Sequence, residues 1–122
     1  MSILLSTETK FSFKLRSRKI SVKTLECSFI RKGFGLMFRT VNTGNLLFSF
    51  KKDVKHALTA WFVFFPFIAI WLDKNNKVLE TRIVKPFTST ILPQKPFRKV
   101  LEMPLTRENL ALFDFPVGER NI

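Results

Sequence analysis

The sequence predicts a small, mainly β domain (α+β in class): a curved antiparallel sheet or partly closed β-barrel with one or two short helices. A chain of 122 residues has room for one hydrophobic core, so residues 1–122 are predicted to form a single domain. Several short segments alternate apolar and polar residues, as half-buried strands do. Turn residues separate these segments at short intervals, which favours a curled sheet with few exposed edges.

The N-terminal segment predicts a basic hairpin over about residues 10–24. Apolar and polar residues alternate around Phe13 in its first strand and around Ile20 in its second. The polar residues 17–19 are predicted to form the turn between them. Because successive strand residues face opposite sides, the apolar side chains should face the core and the basic ones the solvent.

A short helix, an inner strand and a charged loop are predicted next. Apolar residues within 25–36 follow helical spacing, which predicts a helix ending near the glycines at 33 and 35. The apolar Leu46–Phe50 is predicted to be an inner strand, and the charged Lys51–His56 a loop.

The longest apolar stretch, residues 56–72, is predicted to be a buried strand or strand pair at the centre of the core. Its 17 residues contain no Asp, Glu, Lys or Arg, so a membrane-associated protein is an alternative, at the lower limit of length for a span. Pro66 near the middle, the aromatic and β-branched content, and a turn signal at Asp73–Lys77 favour strands. That turn predicts a second hairpin with residues 78–84.

The C-terminal third predicts an extended connection, a strand and a helix. Three prolines between residues 86 and 96 exclude a helix there. Lys99–Met103 is predicted to be a strand, and Thr106 the N-cap of a two-turn helix over residues 107–113.

Basic residues are abundant and unevenly distributed. The chain has 21 Lys and Arg against 9 Asp and Glu, a net charge of +12. The first 61 residues hold twelve of these cations and three of the acids, a net +9 that leaves +3 for the rest. A one-sided excess of this kind is typical of a surface that contacts phosphate. The alternative is a charge that only keeps the protein soluble.

We therefore predict a non-enzymatic binding module whose basic surface contacts an anionic partner, either nucleic acid or another anionic surface such as lipid headgroups. The predicted contacts are cations of the hairpin and the charged loop: Lys14, Arg16, Arg18, Lys19, Lys23, Lys51, Lys52 and Lys55. Phe11 and Phe13 are predicted to face the core, so they do not provide the stacking platforms that single-strand binding uses.

Few residues suit catalysis or metal binding. One cysteine, Cys27, and one histidine, His56, cannot complete a zinc site and have no identifiable third group to orient them for nucleophilic catalysis. We therefore predict no metal and no cofactor, and an enzyme is disfavoured.

The N-terminus has no secretory signal, so a cytoplasmic location is predicted. The sequence leaves the oligomeric state open, with a monomer as the working expectation.

Five segments carry a resemblance to a known family: Gly35–Arg39, Leu46–Phe50, Trp61–Val78, Lys85–Pro86 and Lys99–Pro104. In order and spacing they resemble the domain of unknown function 192 family, and they look closest to its archaeal members. The resemblance covers about residues 27–122 and implies a compact, barrel-like β domain with no established activity. The residues that match the family's motifs are Gly35, Leu36, Met37, Arg39, Pro66, Asp73, Glu102 and Gly118.

The chain also departs from the family's pattern. Phe62, Val63 and Ile68 stand where many members have a polar Asn-Thr pair and an Asp, so a polar site built from those groups in relatives is not expected here. Glu119 stands where the family usually has Asp, which keeps a carboxylate but lengthens its side chain.

Arg39 and Glu102 support a second hypothesis, a small-ligand carrier or enzyme with a cavity near these two residues. Arg39 follows a predicted buried run and has the fork geometry that binds a carboxylate such as that of Glu102. The other interpretation is a structural ion pair between them. Strand alternation leaves open whether Glu102 points outward or into a cavity.

Overall fold

The computed structural model describes residues 8–27, 44–55, 57, 64–88 and 91–113. Its elements in chain order are β1 (Glu8–Leu15), β2 (Arg18–Cys27), β3 (Asn45–Val54), β4 (Phe67–Leu72), β5 (Val78–Val84), β6 (Phe97–Pro104) and α1 (Arg107–Phe113). The predicted fold class is confirmed, because strands make up most of the structure and the one helix among the described residues is short.

The six strands form one curled sheet, a half-barrel, in the order β1-β2-β3-β6-β4-β5. The pairing of β2 with β3 is parallel, and the other four pairings are antiparallel. At one point the two edges of the sheet meet, where Lys14 of β1 forms an isolated bridge with Lys77. There the Lys14 N–H donates to the Asn76 carbonyl at 3.0 Å. The barrel is therefore partly closed.

Apolar side chains cover both faces of the sheet. On one face, Phe13, Leu47, Ile70 and Leu101 belong to one cluster, against which Leu112 of α1 packs. The opposite face carries a second cluster that includes Phe48, Phe67, Trp71, Val100 and Ile91. All six residues of β4 are buried between these clusters, which explains why this strand is a continuous apolar run without alternation.

Residues 67–72 of the long apolar stretch thus form a buried strand, as predicted, whereas its other described residues, 57 and 64–66, lie outside the strands and Phe64 is 55% exposed. Among the residues that the structure describes, no helix is long and apolar enough to cross a membrane.

Two sequence predictions were wrong at their boundaries. The predicted helix does not begin at Leu25, because β2 continues to Cys27 and Leu25 pairs with Leu46 in the neighbouring strand. Residues 28–36 lie outside the described residues. The predicted loop is strand up to Val54, which pairs with Phe97 beyond a register shift in the β3–β6 ladder. Charged residues resembled a loop there because they lie on the part of β3 that extends past the end of β2.

The turns and the helix cap follow local chemistry. The first hairpin turns at Arg16 and Ser17, one residue earlier than predicted, and both residues have positive φ angles, 51° and 72°. Two positive φ angles are characteristic of a type I′ turn, which matches the twist of a two-residue hairpin. In the second hairpin, the Asp73 carboxylate accepts the N–H of Asn75 at 2.7 Å. Thr106 caps α1 as predicted, accepting the Asn109 N–H at 3.2 Å.

Candidate functional site

The first hairpin collects four lysines on one face. Lys10 lies directly opposite Lys23, and Lys14 directly opposite Lys19. All four side chains are exposed, and between the two pairs lie Ser12 and Ser21, also directly opposite each other. We call this surface the lysine face, defined by Lys10, Ser12, Lys14, Lys19, Ser21 and Lys23.

The alternation of strand residues produces this face. Phe13 and Ile20 point to the other side, where they are only 1% and 4% exposed. Phe11 also faces away from the lysine face, with the Lys99 ammonium 5.7 Å from its ring centroid. The aromatic side chains of this hairpin therefore point toward the core, as the sequence predicted.

The lysine face is electrostatically unfavourable on its own. Opposite residues in an antiparallel pair have Cα atoms about 4.5 to 5.5 Å apart, and like charges at such positions destabilise the strand pair. The two described ion pairs lie elsewhere, at Arg82–Glu80 and Arg98–Asp53. Among the residues that the structure describes, no carboxylate forms an ion pair with a lysine of this face. The two lysine pairs therefore form a positive surface on the first hairpin.

The middle of the lysine face is polar and ordered. The Ser12 and Ser21 hydroxyl oxygens are 2.8 Å apart and share a hydrogen bond in which either can be the donor. The two lysine pairs are four residues apart on each strand, a separation of about 13 Å at about 3.3 Å per residue. The face therefore offers two positive ends joined by hydroxyl groups.

A depression lies at one end of the lysine face. Its volume is about 390 Å³, and the described residues that line it are Thr9, Lys10, Ser21, Val22 and Lys23. Its lining thus includes one lysine pair and one of the serines, whereas Lys14 and Lys19 do not line it.

The other predicted hairpin cations lie off this face. Arg16 occupies the turn. Arg18 projects on the core side of β2, where its Nη2 donates to the Leu112 carbonyl at 3.3 Å. A cation near the last carbonyls of a helix is favoured by the helix dipole, so Arg18 has a structural role at the end of α1.

Lys51, Lys52 and Lys55, which were predicted to lie in a charged loop, are far from the first hairpin. Thr24 pairs with Asn45 and Cys27 with Phe48, so Lys51 lies beyond the last residue of β2. At about 3.3 Å per residue, Lys51 is about 23 Å along the strand direction from Lys23. The structure therefore brings together Lys14, Lys19 and Lys23 but does not place with them the exposed Lys51, Lys52 and Lys55. It adds Lys10, which the alternation of the first strand could have identified.

Glu102 lies on the buried side of β6 and is 4% exposed. It is opposite Leu46 on one neighbouring strand and opposite Ala69 on the other. Trp71, two residues along β4 on the same side, has a buried Nε1–H that finds no hydrogen-bond partner among the described residues. Within the described part of the chain, no group of three or more His, Cys, Asp or Glu is arranged to hold a metal ion.

The chain matches the family DUF192, described as Uncharacterized ACR, over residues 13–109. It belongs to the DUF192 family. The match begins within β1 and therefore includes most of the lysine face. No curated protein sequence matches the chain.

Two solved structures share the fold of this DUF192 chain. A protein of unknown function from Novosphingobium aromaticivorans superposes with a TM-score of 0.73 at 16% identity, covering 89% of this chain and 81% of the other. A putative transcription regulator from Sinorhizobium meliloti superposes with a TM-score of 0.70 at 16% identity, covering 86% of each chain. At this identity the likeness shows the fold alone.

Two of the family motif residues that the structure describes, Pro66 and Asp73, form hydrogen bonds within the fold. Pro66 accepts the Leu105 N–H at 3.1 Å, and Asp73 accepts backbone N–H groups in its turn. The others, Gly35, Leu36, Met37, Arg39 and Gly118, lie outside the described residues. A cavity or ion pair between Arg39 and Glu102 therefore stays a prediction.

Proposed function

We propose that the protein is a binding module that holds nucleic acid through its phosphate backbone, with the lysine face as the contact surface. The observation that carries this proposal is the arrangement of two directly opposed lysine pairs, with which no carboxylate in the described part of the chain forms an ion pair. In the free protein the opposed lysines repel each other. An anion that binds between them removes this repulsion, which adds to the affinity of the complex.

The side chains of the lysine face favour phosphate over bases. Lysine ammonium and serine hydroxyl groups are common phosphate contacts, which position a protein on nucleic acid without reading its sequence. The face lacks aromatic side chains, on which the bases of single strands stack. We therefore expect double-stranded nucleic acid to be bound with little sequence preference.

A nucleic acid suits this face better than a membrane does. Interfacial membrane binding combines positive charge with apolar side chains that enter the lipid, and the lysine face has only lysine and serine. One similar structure is titled a putative transcription regulator. That description is compatible with the proposal, which rests on the lysine face.

The cytoplasmic location, the monomeric state and the closeness to archaeal members stay predictions.

The test uses two variants that each lack four lysines. Their affinities for a labelled DNA duplex at low salt are measured by fluorescence anisotropy and compared with that of the unmodified protein. The first variant replaces the four lysines of the lysine face by Gln. The control variant removes the same charge elsewhere, at Lys51, Lys52, Lys55 and Lys85, all exposed. Because phosphate contacts supply nearly all non-specific affinity, we expect at least a tenfold loss for the first variant and a much smaller loss for the control.

The outcomes of this comparison are distinct. Equal losses in the two variants would show that net charge, and not the lysine face, determines binding. Tight binding of anionic vesicles in place of the duplex would assign the face to a membrane and contradict the proposal.

A further inference from the structure

We propose that the depression between Lys10 and Lys23 is a subsite for a terminal phosphate monoester, such as the 5′-phosphate at the end of a nucleic-acid strand. This inference rests on the proposed function and makes it more specific. It divides the lysine face into one end that binds a particular group and one end that contributes charge alone.

The described depression lies at one end of the lysine face, although the two ends are alike in charge. Each end has two exposed lysines directly opposite each other. The depression of about 390 Å³ is lined by Lys10, Lys23 and Ser21, and its lining does not include Lys14 or Lys19. A group bound in this depression can accept hydrogen bonds from Lys10 on one strand and from Ser21 and Lys23 on the other.

The donors in the depression match a phosphate group. A phosphate has only acceptor oxygens, and each lysine ammonium offers three donor hydrogens. Ser12 and Ser21 share one hydrogen bond at 2.8 Å in which either hydroxyl can donate. When Ser12 donates to Ser21, the hydrogen of Ser21 is available to the phosphate. Thr9 and Val22 are the other described residues of the lining, and strand alternation directs their side chains to the opposite side of the hairpin.

The charge of the subsite favours a monoester over a diester. A phosphate monoester carries a charge of about −1.5 to −2 at neutral pH, and a backbone diester carries one negative charge. Two ammonium groups from Lys10 and Lys23 balance the monoester more completely. The end of a strand also carries its phosphate outside the stacked duplex, so it can enter a depression that the continuous backbone only passes over.

The experiment measures the ratio of affinities for two DNA duplexes of identical sequence, one with 5′-phosphates and one with 5′-hydroxyl groups. For the unmodified protein we expect the phosphorylated duplex to bind about tenfold more tightly, the size expected for hydrogen bonds to a charged group. Two variants with equal charge on the same face are then compared: Lys10→Gln with Lys23→Gln, and Lys14→Gln with Lys19→Gln. We expect both to bind more weakly, but only the first to lose the preference for the phosphorylated end.

A milder variant and two further probes complete the test. Ser21→Ala should reduce the preference while keeping all four lysines. Inorganic phosphate should compete with the phosphorylated duplex at lower concentration than with the hydroxyl duplex. Vesicles containing phosphatidic acid, which also has a phosphate monoester, should not be bound more tightly than the phosphorylated duplex.

The results separate the subsite from the proposed function. If the unmodified protein binds both duplexes equally, or if both double variants lose the preference alike, the subsite is wrong while duplex binding by the lysine face stands. If the unmodified protein binds neither duplex, the proposed function is wrong. Preferred binding of phosphatidic acid vesicles would assign the monoester to a lipid and overturn the nucleic-acid source.

Discussion

At the scale of single residues, Asn109 joins three parts of the molecule. Its Nδ2 donates to the Pro104 carbonyl at 2.6 Å and to the Asn45 Oδ1 at 3.1 Å, and its N–H donates to Thr106 at 3.2 Å. The side chain is 8% exposed, so these bonds are largely shielded from water. Asn109 thus fixes α1 to the end of β6 and the start of β3.

We predict that Asn109→Ala lowers the free energy of unfolding by about 1 to 3 kcal/mol, because it leaves the buried Pro104 carbonyl and the part-buried Asn45 Oδ1 without their donor. Urea denaturation followed by circular dichroism measures the change. Asn75→Ala, at an exposed position in the second hairpin turn, is the control and should change stability by less than about 0.5 kcal/mol. Equal effects of the two substitutions would contradict the role given to Asn109.

Local chemistry predicted the partner of Asn109 within the helix but not its partner in the sheet. Thr106 precedes the helix and has a side chain that accepts the early N–H groups, so its capping role follows from a few neighbouring residues. The bond from Asn109 to Asn45 joins residues 64 positions apart. Such a contact depends on how the sheet and helix pack, which a local pattern does not contain.

At the scale of elements, the first hairpin combines a buried face that stabilises it with a lysine face that opposes it. Phe13 and Ile20 are buried on one side, while Lys14 and Lys19 face each other on the other side. The turn itself uses Arg16 and Ser17 at positive φ, a conformation that ordinary residues rarely adopt. The hairpin is therefore less stable than its pattern of apolar residues would allow.

We predict that Lys19→Glu stabilises the protein and weakens its binding to nucleic acid. The new carboxylate faces Lys14 and replaces a repulsion by an attraction, which should raise the free energy of unfolding by about 0.5 to 1 kcal/mol. Denaturation and duplex binding are measured on the same preparation. Lys52→Glu makes the same charge change away from the lysine face and should retain more affinity. A loss of stability in Lys19→Glu, or equal affinity in the two variants, would contradict the prediction.

The alternation of residues predicted the strands of this hairpin and the direction of its lysines. It did not locate the turn, because the polar residues around position 17 suit a turn at either of two neighbouring registers. The pairing of Phe13 with Ile20 selects one of them, since it places both side chains in the core. The extension of β2 to Cys27 depends on its parallel pairing with β3, which requires a partner distant in sequence.

At the scale of the whole molecule, an apolar cluster lies on each face of the half-barrel, and polar contacts fix a segment packed against the sheet. Arg82 and Glu80 of β5 form an ion pair at 2.6 Å. Glu80 also accepts the Gln94 N–H at 2.9 Å, and Arg82 donates to the Leu92 carbonyl at 3.1 Å. The connection before β6 is therefore held against the outer strand.

The hairpins and the barrel-like class were predictable, but the strand order was not, because it depends on these long-range contacts.

The first hairpin carries its four opposed lysines on the side opposite the residues that it buries. The side chains of Phe13, Ile20 and Val22 anchor the hairpin in the core, so the lysines project from strands of fixed register. A surface with fixed charge spacing should neutralise a defined number of phosphates. The number of phosphates neutralised is therefore the property that most directly characterises the proposed interaction.

The dependence of duplex affinity on salt concentration measures that number. The logarithm of the association constant falls linearly with the logarithm of salt concentration, by about 0.9 for each neutralised phosphate. Replacing the four lysines of the lysine face by Gln should therefore reduce the magnitude of the slope by about 3 to 4, while the control substitutions at Lys51, Lys52, Lys55 and Lys85 should reduce it by less than about 1. An unchanged slope in the first variant would contradict the claim that the lysine face contacts phosphate.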